Sequence, residues 1–209
     1  VYLYLHPRSS RKSTEFFRDR RHGELWVGRN PTAKEAEVAY GIKVRHINDL
    51  ATDIANKSDT ILVRGEDVKV DGLIGAHERE GELLQMLAEL RLIKDDFELE
   101  EMRKAVEATV RGFEDVVRAL PAAMKSDRGE RIIEGAFYTR ARTDGNDVGY
   151  DTIAASGVHA CILHWMRNDG EVNDGDLLLL DAGVEVESLY TSDVTRTLPV
   201  NGKFTEAQR

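Results

Sequence analysis

Four consecutive leucines, Leu177 to Leu180, lead directly into an acid, Asp181. A short apolar run that ends in turn residues, here at Gly183, predicts a buried strand. An unpaired carboxylate held among leucines loses its hydration at a cost of several kcal/mol. We therefore expect Asp181 to lie where the strand leaves a hydrophobic core, next to a group that neutralises its charge.

A second acid, Asp193, follows Asp181 by twelve residues. An antiparallel strand returning from about Val184 would bring the two carboxylates side by side. They would then repel each other unless a divalent cation neutralised them. In the alternative interpretation, Asp181 caps a turn through Gly183 and Asp193 pairs with Arg196. The spacing alone leaves both interpretations open.

A histidine on a neighbouring segment favours the metal interpretation. His164 ends the apolar run 160–164, which we interpret as a strand, and its side chain could reach the same cleft. A single histidine on such a strand is more often a core residue, so its chemical role is a hypothesis.

The residues before position 83 predict an α/β domain. Strand composition marks 2–6, 24–27 and 60–63. The run 32–40 has a helical pattern, with Asn30 as the N-cap, Pro31 at the first helical position and Gly41 just past the end. A second helix is predicted by the spacing of Ile47, Leu50, Ala51 and Ile54. A charged, leucine-rich segment over 82–94 then leads to a different unit.

The remaining residues predict an α+β domain, in which two helices precede a strand-rich region. A capping box of Asp95 and Glu98 begins the first helix, and Pro121 ends it. Strands are predicted over 150–155, 160–164, 177–182, 184–190 and 194–200, after a second helix over 128–141. The first helix has an apolar stripe that we expect to face the core, namely Met102, Val106, Val110, Phe113, Val117 and Leu120.

Composition excludes several classes of protein. Of the 209 residues 41% are hydrophobic, which argues against disorder, and a net charge of −9 argues against a nucleic-acid surface. A basic run over 8–21 is interrupted by acids, which favours a solvated face. No apolar run is long enough to span a membrane, so no membrane partner is expected. Because of the acidic net charge, no nucleic-acid partner is expected either.

The two ends of the sequence indicate whether the chain is a fragment, and its single cysteine indicates the compartment of the protein. Val1 lies within an apparent strand with no leader before it, and the last residues resemble the start of a helix, so we expect a fragment at both ends. Cys161 excludes an internal disulfide and is typical of a cytoplasmic protein.

Four motifs follow one another in the last third of the chain: GYDTI at 149–153, CILH at 161–164, GDLLLLDAG at 175–183 and DVTRTLPVNGKF at 193–204. In this order they resemble aminopeptidase P, the Xaa-Pro aminopeptidase of the pita-bread metallopeptidases. The segment ELWVGR at 24–29 is similar to part of that family's amino-terminal domain. The resemblance implies a partial α/β N-terminal creatinase-like domain over 1–82. It also implies the first half of an α+β pita-bread catalytic domain over 83–209.

The resemblance implies roles for individual residues. Asp181 and Asp193 would be two of five ligands of a dinuclear metal site, in which Asp193 bridges both ions. The ions are expected to be manganese (Mn2+), with cobalt or zinc as alternatives. His164 would be a catalytic histidine on the substrate side, and Tyr150 would line the cleft. Trp26 would bind substrate near the active site of a neighbouring subunit in a homo-oligomer, unless it is a core residue.

The implied activity is release of the N-terminal residue from peptides with proline in second position, by a hydroxide held on the two metal ions. The family's other three ligands are a histidine and two glutamates from the second half of the domain, and the residues after Asp193 do not supply them. The chain alone is therefore predicted to be inactive. Two alternatives are proline dipeptidase and a non-catalytic pita-bread module that binds peptides, histones or RNA.

Overall fold

The computed structural model describes residues 1–55, 57 and 59–209. They form two compact units, Val1–Leu92 and Ile93–Arg209. The leucine-rich segment forms one continuous helix, Glu80–Leu92, within the first unit. The domain bounds expected from the sequence, 1–82 and 83–209, stay a prediction. None of the described helices is both long and apolar enough to cross a lipid bilayer.

The first unit has the predicted α/β character. Strand β1 (Tyr2–Leu5) pairs in parallel with β2 (Lys43–His46). Parallel strands need a long crossover connection, and helices occupy it. The helices described in this unit are α1 (Thr14–Arg18), α2 (Glu24–Val27), α3 (Ala33–Tyr40), α4 (Leu50–Ala55), α5 (Val68–Asp71) and α6 (Glu80–Leu92).

Two predicted strands of this unit are wrong. Residues 24–27 form helix α2, because the Gly23 carbonyl accepts hydrogen bonds from the N–H groups of Trp26 and Val27. Gly28 ends this turn at a φ of 82°, which a glycine adopts without strain. Residues 60–63 are irregular.

The helix predicted over 32–40 is confirmed, with a different cap. Thr32, not Asn30, is the N-cap, and its side chain forms a reciprocal capping box with Glu35. Gly41 ends the helix in the left-handed region at a φ of 66°, as the sequence predicts.

The second unit packs two long helices against a sheet. Helix α7 (Asp96–Ala123) begins at the predicted capping box of Asp95 and Glu98, and it continues two residues past Pro121. Helix α8 (Gly129–Asp144) follows. The antiparallel sheet has the order β4 (Ile153–Ser156), β5 (Leu177–Ala182) and β7 (Val194–Pro199), and a second pair joins β3 (Asp147–Val148) to β6 (Val184–Glu185).

The hydrophobic core lies between these helices and the sheet, and the stripe predicted for α7 is half wrong. Phe113 packs against the core as expected. Val106, Val110 and Val117 are 44%, 54% and 53% exposed, whereas Leu120 is buried as expected. The face of α7 that packs inward carries mainly small residues. The buried core residues include Ala108, Val116, Leu120, Ile133, Phe137, Ala154, Leu178 and Leu180.

Close packing of α7 on α8 explains why small residues form the inner face. A Cβ added at Gly112 would lie 2.6 Å from a ring carbon of Phe137. We expect Gly112→Ala to lower the free energy of unfolding by about 1–3 kcal/mol, because the ring must move out of a filled core. A Cβ added at Gly135, on α8, would meet no atom of another described element within 4 Å. Gly135→Ala should instead raise the free energy of unfolding by up to about 1 kcal/mol, and urea denaturation of the two variants checks both signs.

Two further strand predictions fail near the sheet. Residues 157–161 form a short 3₁₀ helix and the predicted strand over 160–164 is absent, because Gly157 leaves β4 with a φ of 56°. In the segment predicted as a strand over 184–190, only Val184 and Glu185 are strand, and a turn closes with Val186 N–H donating to the Tyr190 carbonyl. Strand 177–182 is confirmed residue for residue.

Candidate metal centre

The sheet register places both acids at one end of the β5–β7 pair. Asp181 lies on β5 opposite Thr195, and the next pair in the register joins Ala182 to Val194. Asp193 is the residue immediately before β7. The antiparallel return predicted from the spacing therefore brings the two carboxylates together.

One hydroxyl lies between the two carboxylates. Tyr150 Oη is 2.7 Å from Asp181 Oδ1 and 2.9 Å from Asp193 Oδ1. Thr195 Oγ1 donates to the other oxygen of Asp181 at 2.6 Å. The phenol has a single proton to share between two anionic acceptors.

The surroundings raise the pKa of Tyr150 well above its ordinary value. Burial is the largest cause, followed by the hydrogen bonds to Asp181 and Asp193 and their negative charge. A deprotonated phenol here would face two carboxylates, so Tyr150 stays a neutral donor. Arg196, the cation suggested as the partner of Asp193, donates to the Thr195 carbonyl instead. The negative charge of the pair thus favours a divalent cation as counter-ion.

Four predicted site residues line one open cavity of about 360 Å³. His164 lies in the loop after the 3₁₀ helix and is exposed, so it is not the core residue that a strand position would have made it. Asp151, Ile153 and Met166 complete the lining. The cavity therefore combines two carboxylates, a phenol and an imidazole.

A hydrogen-bond pair anchors the segment that carries Asp193. Thr109 Oγ1, on α7, lies 2.6 Å from Ser192 Oγ and accepts from the backbone N–H of Val184 at 2.9 Å. Ser192 also donates to the Ala105 carbonyl. These buried contacts fix both ends of the turn between β5 and β7, so the position of Asp193 depends on α7.

A buried glutamate that the sequence analysis missed organises the loop of His164. Glu130 is fully buried on α8. Its Oε1 accepts from Ser156 N at 2.8 Å and lies 2.9 Å from His159 Nδ1, and its Oε2 accepts from Trp165 Nε1 at 2.8 Å and from Gly170 N at 2.7 Å. An acid in the first turn of a helix usually lies at the surface, where the helix dipole stabilises its charge. The position of Glu130 in the sequence therefore does not indicate a buried role.

The donor set fits part of a divalent metal site. Asp181 and Asp193 offer hard carboxylate oxygens, which suit manganese and similar ions. Two carboxylates do not complete a coordination shell, so further ligands are needed.

Trp26, the remaining predicted site residue, belongs to the first unit. Its indole N–H donates to the Phe17 carbonyl at 2.8 Å, and the Arg20 guanidinium lies 5.3 Å from the ring centre. The side chain is 52% exposed and lies on helix α2, so it is not a core residue on a strand. Its role in substrate binding stays a prediction.

Comparison with known proteins gives consistent matches. Residues 100–209 match the model of metallopeptidase family M24. The chain is 50% identical over 211 residues to Xaa-Pro aminopeptidase 1 of Streptomyces coelicolor. The aligned region covers 99% of this chain and 42% of that protein. It is 40% identical over 122 residues to the Xaa-Pro aminopeptidase of Escherichia coli K12, covering 58% of this chain and 26% of the relative.

Solved structures agree. A single-site variant of Escherichia coli aminopeptidase P has a TM-score of 0.76 at 28% identity, with 100% of this chain and 48% of that one covered. Proline aminopeptidase P II from Yersinia pestis has a TM-score of 0.74 at 26% identity, covering 99% and 48%. The chain thus spans 42% to 48% of the length of the relatives that match it from end to end.

Proposed function

Because the chain belongs to metallopeptidase family M24, we propose that it forms part of a metal-dependent aminopeptidase that releases the N-terminal residue from Xaa-Pro peptides. The family match and the structural match confirm the expected fold class, a creatinase-like α/β unit followed by part of a pita-bread domain. The observation that carries the proposal is the convergence of Asp181 and Asp193 on one hydroxyl in an open cavity.

Asp181 and Asp193 are the proposed metal ligands, and Asp193 is the proposed bridge between two ions. Manganese is the proposed metal, with cobalt or zinc as alternatives, because carboxylates dominate the donor set. A histidine and two glutamates from outside residues 1–209 would complete the site. Divalent ions in such a centre activate a water nucleophile and polarise the peptide carbonyl.

The residues around the carboxylates have separable proposed roles. Tyr150 and Thr195 donate hydroxyl hydrogen bonds to the carboxylates and so fix their orientation. His164 is exposed at the cavity, where its imidazole can bind the oxygen of a peptide carbonyl and stabilise the charge that develops there. We propose that Trp26 contacts substrate in a neighbouring subunit, which requires a homo-oligomer.

The cysteine and the basic run bear on the location of the protein and on its other partners. Cys161 is exposed and free, which suits a reducing compartment, so we propose the cytoplasm. Two arginines of the basic run, Arg8 and Arg11, pair with Glu24, which offsets part of the positive charge of the run. We therefore propose neither nucleic acid nor membrane as a partner.

The proposed activity predicts a preference for proline and for substrates longer than dipeptides. The full-length gene product, stripped with EDTA and reloaded with Mn2+, should release the N-terminal residue from an Xaa-Pro-Xaa tripeptide and leave Xaa-Ala-Xaa intact. Amino-acid analysis of the products measures both. Cleavage restricted to Xaa-Pro would instead identify a proline dipeptidase. If the fully metal-loaded protein turned over no Xaa-Pro peptide, it would be a non-catalytic pita-bread module.

The chain of residues 1–209 is predicted to lack this activity when purified by itself. Two carboxylates bind metal weakly. Among the other described residues that line the cavity, the strong ligands are Asp151 and His164. The same tripeptide assay with added Mn2+ should therefore give the buffer rate. Turnover comparable to that of the full-length gene product would show that the chain itself completes the centre.

A further inference from the structure

The first unit contains a second group of metal-ligating side chains, unrelated to the carboxylates of the sheet. His6, Asp19 and His22 each present a ligand atom, and these atoms all lie within 4.8 Å of one another. His6 directly follows β1, and Asp19 is the C-cap of α1. All three side chains are partly buried.

Asp19 and His22 already have the separation of two ligands on one ion. His22 Nδ1 and Asp19 Oδ2 are 3.2 Å apart. Two ligands at about 2.0–2.1 Å from a tetrahedral zinc ion lie roughly 3.3 Å apart. The backbone N–H groups of Arg21 and His22 donate to Asp19 Oδ1. They hold the carboxylate in place.

His6 has one ring nitrogen free to bind a cation. Its Nε2 lies 3.0 Å from Glu15 Oε1, whereas its Nδ1 is buried and has no hydrogen-bond partner among the described residues. A carboxylate close to one imidazole nitrogen, with the metal on the other, is the usual arrangement around a metal-bound histidine. A buried polar atom without a partner is otherwise unfavourable.

The imidazoles of His6 and His22 lie next to each other. Their rings are nearly parallel at 15°, with their centres 4.2 Å apart. A ligand lone pair lies in the plane of its ring, so one imidazole turns when both bind the same ion. Two imidazoles and a carboxylate are a donor set for zinc and its first-row neighbours.

We propose that His6, Asp19 and His22 bind one zinc ion, with Glu15 orienting the imidazole of His6. The ion would join the end of β1 to the segment between α1 and α2. Each of the three ligands is drawn from the first unit, so the site does not depend on the proposed peptidase activity.

The test uses the whole chain with the double substitution Asp181→Asn and Asp193→Asn, which removes the carboxylate pair of the sheet. After treatment with EDTA, the protein is titrated with Zn2+ by calorimetry and with Co2+ by visible absorption. We expect one equivalent to bind and zinc to raise the thermal midpoint. His22→Gln and Asp19→Asn should each weaken binding at least tenfold and abolish the thermal shift.

Two controls keep the test decisive. His77→Gln changes a histidine of the same unit that is outside the group, and it should leave binding unchanged. Asparagine at position 19 can still accept the backbone hydrogen bonds that hold the turn, so this variant separates loss of a ligand from loss of folding, which circular dichroism verifies. Absence of saturable Zn2+ and Co2+ binding overturns the proposal, as does binding that His22→Gln and Asp19→Asn leave unaltered.

Discussion

Replacing Asp193 by asparagine in the full-length gene product is expected to lower kcat/KM for an Xaa-Pro-Xaa tripeptide by more than about a hundredfold. Loss of an orienting partner outside a metal's ligand shell already costs about 10–100-fold. Loss of a ligand, and above all of a bridging carboxylate, should cost more. Asparagine keeps an oxygen that can accept from Tyr150, so the fold around the substituted position should persist.

Metal content provides a second measurement for the same variant. Bound manganese per protein, determined by mass spectrometry of the metal, should fall in Asp193→Asn. Asp174→Asn is the matched control, because Asp174 is an exposed acid in the turn before β5. The control should keep both its metal and its activity. If Asp193→Asn retained activity within about threefold of the unsubstituted protein, Asp193 would not be a metal ligand.

The sequence predicts those parts of the site that depend on local pattern. The four leucines and Gly183 define β5, and the return of the chain places Asp193 beside Asp181. The capping box of Asp95 and Glu98 fixes the start of α7 because both hydrogen bonds form within one turn. Such features need no knowledge of the rest of the molecule.

Features that depend on packing between distant segments could not be predicted. Half of the stripe of large side chains on α7 faces solvent, because the close approach of α8 selects glycine and alanine on the inner face. His164 was placed on a strand from its apolar neighbours. Its loop is instead shaped by hydrogen bonds to Glu130, a residue 34 positions earlier in the sequence. The periodicity of a sequence shows which residues are apolar. It does not show which of them pack against another segment of the chain.

Loss of Glu130 should strongly destabilise the second unit. Glu130→Leu would remove the acceptor of two backbone N–H groups, of the Trp165 indole and of His159, all in or next to the loop that carries His164. Each buried donor left without a partner costs about 1–3 kcal/mol. A loss of about 4 kcal/mol or more would consume much of the 5–15 kcal/mol by which a domain is typically stable.

Two further variants separate the acceptor role of Glu130 from its volume. Glu130→Gln keeps one oxygen acceptor, but its amide N–H groups face the donors that surround the Glu130 carboxylate. Its free energy of unfolding should therefore lie between those of the leucine variant and the unsubstituted chain. Glu134→Gln, one turn later on α8, should change that free energy by less than about 0.5 kcal/mol. Urea denaturation is followed by tryptophan fluorescence in the Trp26→Phe background, so that the signal comes from Trp165, which stacks on His159 at 3.8 Å in the loop. If Glu130→Leu were as stable as Glu134→Gln, the loop would hold its shape without the buried carboxylate, and the placement of His164 would have to come from the 3₁₀ helix and the β-strands alone.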